Sequence, residues 1–389
     1  MTTFPGTTLY FHLDTDEFAN TPGAVDYLPK GAHSFTLAAG DRVISADSFA
    51  FHAGNPGAAY GIADTFSLTL NVNGMWTGVD TALLLENGRG TSANKIAVGA
   101  EGVVGAGSEA IRTLAKTDIS NMGVISGGAT AIHFIGGSAS LNAKSTVTVT
   151  NLAGGLIEGA TRGIVYEGEG ALAVSNKGVI EGLSGSFGDE GSAGGIISLD
   201  GKVTLFNDLS ATVTGTLRMG WLGSSVANKG AINGTIHAYM TEDAGTGIID
   251  YDRDGTPAAS DTGDRHWNAI TETATTVTNT GSIKGYAAWS TDGNGDPVQV
   301  ALDLSNGKDV VSNSGIVTGA VWTHDGNDSV SNALGARIIG DVNLGGSRYF
   351  AGYGIGAYAL DADTPIAGRT ITGVFCSRLC SSDGSPIRR

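Results

Sequence analysis

Cysteine, proline and aromatic residues are all scarce in this chain of 389 residues. The two cysteines, Cys376 and Cys380, lack the second ligand pair of a structural zinc site and leave the first 375 residues without a thiol. Such scarcity is typical of an exported bacterial protein that does not rely on disulfides. Eight prolines, and glycine without a collagen period, argue against collagen-like and proline-rich linker proteins.

Positive charge is also limited. The chain has 22 basic against 38 acidic residues, a formal net charge of −16. Nucleic acids and anionic membranes attract positive patches, so neither is an expected partner. Two interpretations of the acidic excess stay open at this point: binding of cations, and simple surface solubility.

Long hydrophobic runs are missing too. No stretch approaches the roughly 18 uninterrupted apolar residues of a membrane-spanning helix. The first residues, MTTFPGTTLYFHLDTDEF, show no basic segment followed by an apolar run, so no Sec signal peptide is visible. Export would therefore need a signal elsewhere, or the sequence is a fragment of a longer protein.

Glycine, in contrast, is abundant. It accounts for 61 residues, while hydrophobic residues make up 41% of the chain. This is more than twice the usual glycine share of about 7% and leaves enough apolar material for a core. The combination predicts many tight turns between short buried strands.

One phrase recurs along the sequence: asparagine, a variable residue, glycine, two apolar residues or so, and glycine. It occurs as NMGVISG, NKGVIEG, NKGAING, NTGSIKG and NSGIVTG, which begin at Asn121, Asn176, Asn228, Asn279 and Asn313. Looser copies begin at Asn94, Asn151 and Asn332. Glycine suits corners with positive φ, and asparagine tolerates that conformation and hydrogen-bonds the nearby backbone.

Alternating β-forming residues precede most of these phrases, as in STVTVTN, ALAVSN, TTVTN and DVVSN. Alternation with period two predicts strands, and a repeated unit that cannot bury its own apolar face must stack on its neighbours. We therefore expect an all-β chain folded as a right-handed parallel β-solenoid (β-helix), with asparagine ladders inside. A β-sandwich is the alternative, but it predicts evenly spaced hairpin turns and more than 7% aromatic residues.

The pattern divides the chain into three parts. Residues 1–60 lack the phrase and are expected to form a β-rich cap that covers the first coil. Residues 61–354 are expected to form the solenoid, with an acidic loop insertion near 241–270. Residues 355–389 lose the pattern, and either a disordered tail or a changed reading frame explains them. Helices are conceivable only around Leu83 and Glu109, where strands or loops fit equally well.

The first candidate metal site lies in the acidic insertion. In DYDRDGTPAASD, three aspartates take positions 1, 3 and 5 of a twelve-residue loop, glycine takes position 6 and aspartate takes position 12. Oxygen ligands in this order can wrap a calcium ion, whereas a solvated acidic loop is the alternative. The predicted ligands are Asp250, Asp252, Asp254, Thr256 and Asp261.

The second candidate site comes from a repeat with an offset of 19 residues, in which LDLSNGKDVVSNSG aligns with VWTHDGNDSVSNAL. The alignment places Asp309 over Asp328 and Asn306 over Asp325. Stacked strands lie about 4.8 Å apart, so the like charges repel and a bound cation would relieve them. A solvated edge is the alternative, because the repeat stops after these two coils.

The segments NGKDVVSNSG and DGNDSVSN resemble the repeats of secreted bacterial calcium-binding β-solenoid proteins related to the RTX, or hemolysin-type, family, and similar phrases occur in autotransporter-like passengers. The resemblance implies secretion by a type I exporter and folding triggered by calcium outside the cell. The tandem nonapeptide G-G-x-G-x-D of that family is absent from the sequence, so isolated calcium loops are expected rather than a continuous calcium roll.

These observations lead to one expected function and one alternative. We expect a non-enzymatic structural, adhesive or surface-layer protein at the cell surface or outside the cell, stabilised by calcium, with self-association or cell-surface glycans as its partners. The alternative is a polysaccharide-active β-helix enzyme, since such enzymes carry clustered carboxylates on one face. No acid pair, such as Asp292 with Asp296, repeats at coil spacing beside a basic residue in the sequence.

Overall fold

The computed structural model describes residues 8–11, 31–45, 49–53, 66–85, 93–114, 116–135, 146–168, 170–182, 194–198, 201–220, 223–238, 248–249, 265–266, 274–291, 297–305, 307–323, 328–344 and 370–372. Within these residues the regular elements are strands, β1 to β38. No helix in this part of the chain is both long enough and apolar enough to cross a membrane.

Nearly all the strands belong to three parallel sheets. Sheet I consists of β2 (Gly31–Leu37), β5 (Phe66–Val72), β8 (Asn94–Val98), β11 (Thr117–Asn121), β14 (Thr146–Asn151), β17 (Ala171–Asn176), β20 (Lys202–Asn207), β23 (Ser225–Asn228), β28 (Thr276–Asn279), β32 (Val310–Asn313), β35 (Ser329–Asn332) and β38 (Thr370–Thr372). Sheet II consists of β1 (Thr8–Phe11), β3 (Arg42–Ser45), β6 (Met75–Gly78), β9 (Val103–Ala106), β12 (Val124–Gly127), β15 (Leu156–Gly159), β18 (Val179–Gly182), β21 (Thr212–Thr214), β24 (Ala231–Asn233), β29 (Ser282–Lys284), β33 (Ile316–Thr318) and β36 (Arg337–Ile339).

Sheet III consists of β4 (Phe49–Ala53), β7 (Thr81–Leu85), β10 (Glu109–Thr113), β13 (Thr130–Phe134), β16 (Arg162–Tyr166), β19 (Gly194–Ser198), β22 (Thr216–Met219), β25 (Ile236–His237), β31 (Pro297–Asp303), β34 (Ala320–Trp322) and β37 (Val342–Asn343), with β30 (Tyr286–Thr291) antiparallel to β31. A small antiparallel pair is formed by β26 (Ile248–Ile249) and β27 (Arg265–His266).

The chain visits sheet I, sheet II and sheet III in turn, and each strand pairs in parallel with its equivalent one coil later. The molecule is therefore a parallel β-solenoid. We number its coils 1 to 11 by their strands in sheets I and II, from β2 and β3 in coil 1 to β35 and β36 in coil 11. The parallel pairing already includes Gly31–Leu37, within the segment for which a separate cap is predicted.

The core is made of aliphatic stacks, one from each sheet. In sheet II, for example, Ile125, Ile157 and Ile180 are register partners and are fully buried. In sheet III, Ile132 and Ile164 stack in the same way. Each coil exposes its apolar side chains to the coils above and below, so burial depends on stacking, as the repeat predicts.

Asparagines form a ladder where sheet I turns into sheet II. In each of the first seven asparagines the Nδ2 group donates to the Oδ1 atom of the asparagine one coil later, over distances of 2.6 to 2.9 Å. Each Nδ2 group also donates to backbone carbonyls at the adjacent corners, as in the bond from Asn176 to Thr212. The side chains are almost completely buried. The ladder consists of Asn121, Asn151, Asn176, Asn207, Asn228, Asn279, Asn313 and Asn332.

The corners after the ladder have two lengths. Coils 2, 4, 6, 8, 9 and 10 turn through two residues, whereas coils 1, 3, 5, 7 and 11 turn through four. In the short corners the glycine of Asn-x-Gly is obligatory, because a Cβ atom at Gly281 would collide with the carbonyl oxygen of Gly230 in the preceding coil. In the long corner of coil 11, Gly335 has φ +86°, a conformation that favours glycine.

Two details of the predicted repeat need correction. Asn94 is not part of the ladder, because it begins β8 and the ladder position of that coil is Val98. Asn207 is part of the ladder although the phrase does not mark it, because its four-residue corner contains no glycine. The ambiguous stretches around Leu83 and Glu109 are strands β7 and β10.

The ladder predicts a sharp effect of Asn207→Ala. The substitution removes the hydrogen bond that Asn207 accepts from Nδ2 of Asn176 and the one that it donates to Oδ1 of Asn228, both inside the core. We expect a loss of about 2 to 4 kcal/mol in the free energy of unfolding, since each unpaired buried polar group costs about 1 to 3 kcal/mol. Urea denaturation measures it, with the exposed Asn233→Ala as the control. Equal stability of the two variants would contradict a structural role for the ladder.

Candidate functional site

Asp309 and Asp328 immediately precede the sheet I strands β32 and β35. These strands pair in the register Val310 to Ser329, so the two aspartates lie one coil apart, as the 19-residue offset predicts. Both are buried, with exposures of 0% and 1%. They therefore lie inside the solenoid rather than on a solvated edge.

Backbone and hydroxyl groups hold these carboxylates. Oδ1 of Asp309 accepts hydrogen bonds from the backbone N–H of Thr275 at 2.6 Å and from the hydroxyl of Ser305 at 2.8 Å. Oδ1 of Asp328 accepts the backbone N–H of Asp309 at 2.9 Å, and its Oδ2 accepts the hydroxyl of Thr323 at 2.9 Å. Each aspartate thus caps the backbone of the preceding coil.

The equivalent position at the start of other sheet I strands also holds a side chain that accepts a backbone N–H from the preceding coil. Oδ1 of Asn94 accepts the N–H of Leu68, and Oγ of Ser224 accepts the N–H of Val203, in each case one coil earlier. A short side-chain oxygen at this position therefore satisfies an N–H group that the strand ladder leaves over. The aspartates belong to this row, which the sequence alone did not reveal.

Asp309 differs from the other members because its second oxygen, Oδ2, is buried and has no hydrogen-bond partner. Burial raises the pKa of Asp309 to about 7, and the nearby Asp328 adds to the effect, although the bonds from Thr275 and Ser305 act in the opposite direction. Near neutral pH this carboxyl group is therefore poised between its acid and its anion.

The other predicted ligands lie outside the described residues. This holds for Asn306 and Asp325 beside the buried pair. It also holds for the acidic insertion, whose predicted ligands are Asp250, Asp252, Asp254, Thr256 and Asp261. Among the described residues, no three His, Cys, Asp or Glu side chains are grouped so that they could hold a metal ion.

A second polar cluster lies on sheet III, where His133 bridges two carboxylates from different coils. Its Nδ1 atom is 2.7 Å from Oε1 of Glu109, and its Nε2 atom is 2.8 Å from Oε1 of Glu167. The guanidinium of Arg112 is 3.6 Å from Oε2 of Glu109, an ion-pair distance too long for a hydrogen bond. The imidazole thereby ties three consecutive coils together.

The two carboxylates control the charge of this histidine. Burial alone would lower the pKa of His133, but its hydrogen bonds to Glu109 and Glu167 and their negative charges raise it to about 9. For Glu109, burial acts to raise the pKa, but the hydrogen bond and the charge of His133, with Arg112, lower it. At neutral pH the cluster is thus an imidazolium between two carboxylates.

A further pair of side chains connects coils 8 and 9 on the same sheet. His237 and Asp303 are register partners, and Nδ1 of His237 is 2.9 Å from Oδ2 of Asp303. The sequence did not single out either cluster, because the partners are 24 to 66 residues apart. An alignment of the coils on the ladder asparagines, continued into sheet III, could have predicted that these residues are neighbours.

No family model, no curated protein and no solved structure matches the chain.

The charged bridge predicts a pH-dependent contribution of His133 to stability. Because its folded pKa of about 9 exceeds the unfolded value of 6.5, the contribution is complete below about 6.5 and is lost as the pH rises through 9. We expect His133→Gln to cost on the order of 2 to 3 kcal/mol at pH 6 and much less at pH 10.

NMR titration of the imidazole checks this directly. Glu167→Gln keeps an acceptor but removes a charge, so the pKa of His133 should fall in that variant. An unchanged pKa in the variant would contradict the role assigned to Glu167.

Asp309 predicts the same direction of pH dependence in a lower pH range. Its folded pKa of about 7 lies above the ordinary value of 3.8, so the folded state loses stability as the pH rises from about 4 to 7. Asp309→Asn keeps the oxygen that caps Thr275 and cannot ionise. Urea denaturation in EDTA should show that the variant, compared with the native protein, gains stability between pH 5 and pH 8. A constant difference would contradict a buried, titrating Asp309.

Proposed function

We propose that this chain is a non-enzymatic structural protein, of adhesive or surface-layer type, that acts at the cell surface or outside the cell and is stabilised by calcium at its acidic loops. The observation that carries the proposal is the unbroken asparagine ladder through coils 4 to 11. With strands about 4.8 Å apart, coils 1 to 11 form a rod about 48 Å long. A rod of stacked, internally bonded coils provides long flat flanks for attachment or assembly.

Calcium is supported by the unpartnered Oδ2 atom of Asp309, which lies in a buried site that also contains the carboxylate of Asp328. Carboxylate oxygens are ligands that Ca²⁺ prefers, and a cation would relieve both the unmet acceptor and the repulsion between the two acids. Asn306 and Asp325 are the proposed further ligands. The loop from Asp250 to Asp261 is proposed as a separate calcium site on its sequence pattern alone.

The bridged histidine favours a structural role over the alternative of a polysaccharide-active enzyme. Glu109 and Glu167 form a carboxylate pair near Arg112, the kind of constellation that a glycosidase uses. Here, however, the imidazole of His133 occupies the space between the two acids, and both its nitrogens are engaged. The cluster therefore fits a staple between coils better than a site that admits a sugar and a water molecule.

Secretion is part of the same proposal. It is supported by the RTX-like segments and by the scarcity of cysteine, and a type I exporter is the proposed route. Cell-surface glycans and further copies of the chain are the proposed partners.

Thermal melting with and without calcium tests the stabilisation. We expect 1 mM CaCl₂ to raise the melting temperature of the native chain and EDTA to reverse the shift, because calcium binds the folded state preferentially. The double variant Asp309→Asn/Asp328→Asn should lose the part of the shift that comes from the buried pair. Asp252→Asn/Asp254→Asn should lose the part that comes from the acidic insertion.

Glu101→Gln, an exposed acid on a corner, is the matched control and should respond like the native chain. Titration calorimetry reports the number of calcium ions bound. An unchanged melt together with no heat of calcium binding would refute calcium stabilisation. Cleavage of an oligosaccharide by the native chain, abolished in Glu109→Gln, would instead establish the enzymatic alternative.

A further inference from the structure

The outer face of sheet II carries a stripe of apolar side chains. The outward residue nearest the asparagine corner is apolar in each of coils 2 to 6, and each is only partly buried. The stripe consists of Met75, Val103, Val124, Leu156 and Val179, which are successive register partners. In coils 7 to 11 the same row is polar except for Ala231 of coil 8 and the exposed Ile316 of coil 10.

Charges on the neighbouring outward row are separated along the rod. Glu158 of coil 5 and Glu181 of coil 6 are register partners, so two carboxylates lie about one strand spacing apart. Within the part of the chain that the structure describes, neither has a basic partner. The exposed Lys284 occupies this row in coil 9 and likewise lacks a partner among the described residues. Acid and base on this face are thus held apart and unpaired.

The corner beside this face alternates between projecting and recessed coils. The recessed corners of coils 8, 9 and 10 form the floor of a shallow groove of about 610 Å³. The projecting corners of coils 7 and 11 border it, and they present Leu209 and Leu334, which are 79% and 99% exposed. The two leucines add exposed apolar surface to the borders of the groove.

We infer that this face binds a second copy of the chain in antiparallel orientation, with coil 6 of each copy opposite coil 9 of the other and coil 7 opposite coil 8. In this arrangement a two-fold axis runs along the strand direction between coils 7 and 8. Each contact therefore occurs twice, as in any isologous interface.

The shape of the corners permits this register and excludes the two neighbouring ones. The long corners of coils 5, 7 and 11 then face the short corners of coils 10, 8 and 4, so every projection meets a recess. A shift by one coil in either direction would set coil 7 against coil 7, or coil 5 against coil 11. Both shifts bring two long corners into collision.

One charge pair and an apolar contact at the corners agree with the same register, which covers the apolar stripe in coils 4 to 6. Glu181 of one copy faces Lys284 of the other, which supplies the missing counter-charge for both. Leu334 faces Met122, and these are the large apolar residues exposed at the corners of coils 11 and 4. Leu209 enters the groove beside Lys229. A parallel dimer would instead place the acids over the apolar stripe.

The size of the contact sets its strength. Coils 4 to 11 span about 34 Å at a strand spacing of about 4.8 Å. A strip about 15 Å wide buries on the order of 1,000 Å² in total, at the lower limit of specific interfaces. We therefore expect a dimer that dissociates on dilution. The inference does not depend on calcium, so it is tested in EDTA and is separable from the proposed calcium stabilisation.

Sedimentation velocity over a concentration series tests the dimer. Glu181→Lys and Lys284→Glu should each raise the dissociation constant at least about tenfold, because each sets like charges against each other in both symmetric contacts. The double variant Glu181→Lys/Lys284→Glu restores the opposite charges and should restore association. Circular dichroism verifies that each variant keeps its β structure.

Glu158→Lys is the matched control. It makes the same charge change as Glu181→Lys one coil away, but faces Thr318 of the other copy, so its effect should be small. A monomer at every concentration would overturn the inference. So would an effect of Glu158→Lys equal to that of Glu181→Lys, single variants that associate normally, or a double variant that stays dissociated. Association that appears only with added calcium would assign the acids to a cation instead.

Discussion

The hydrogen bond between side-chain amides one coil apart is the constraint on which the rest of this solenoid depends. An amide carries both a donor and an acceptor, so a stack of asparagines can satisfy itself indefinitely, and the second N–H of each Nδ2 group secures the corner backbone. The bond at 2.8 Å from Asn176 to Asn207 thus fixes two things together: the distance between coils and the point at which every coil turns. Once the turn is fixed, the aliphatic stacks of the three sheets fall into register.

This constraint explains both the success and the limits of prediction from sequence. Asn-x-Gly could be recognised because two physical requirements coincide in a short corner: an amide for the ladder and no Cβ atom where the previous coil's carbonyl lies. Asn207 escaped notice because a four-residue corner relaxes the second requirement. Asn94 was misplaced because it meets neither, and its amide oxygen caps Leu68 at the opposite end of the strand. A repeat phrase identifies the coil, but only the register tells which corner a residue occupies.

The candidate sites, too, could be predicted from the sequence only in part. The stacking of Asp309 over Asp328 followed from a repeat of constant length, so the sequence sufficed. The bridge of His133 to Glu109 and Glu167 could not be predicted from the sequence. The loops between sheet III and the next coil vary in length, so these residues do not align at a constant offset. Nor could the sequence tell that the aspartates are buried. Burial changes their chemistry, since a solvated acid pair repels weakly whereas a buried one is driven toward protonation or toward a cation.

The pattern of long and short corners also affects how copies of the solenoid can associate side by side. Identical corners would give a smooth edge along which copies could slide, with many equivalent registers and no defined assembly. The projecting corners, all in odd-numbered coils, break that equivalence, since a shift by one coil from the proposed register sets projection against projection. A single charge pair such as Glu181 and Lys284 then suffices to choose among the registers that shape allows. Shape excludes and charge selects, which is how a weak contact can be specific on a repetitive surface.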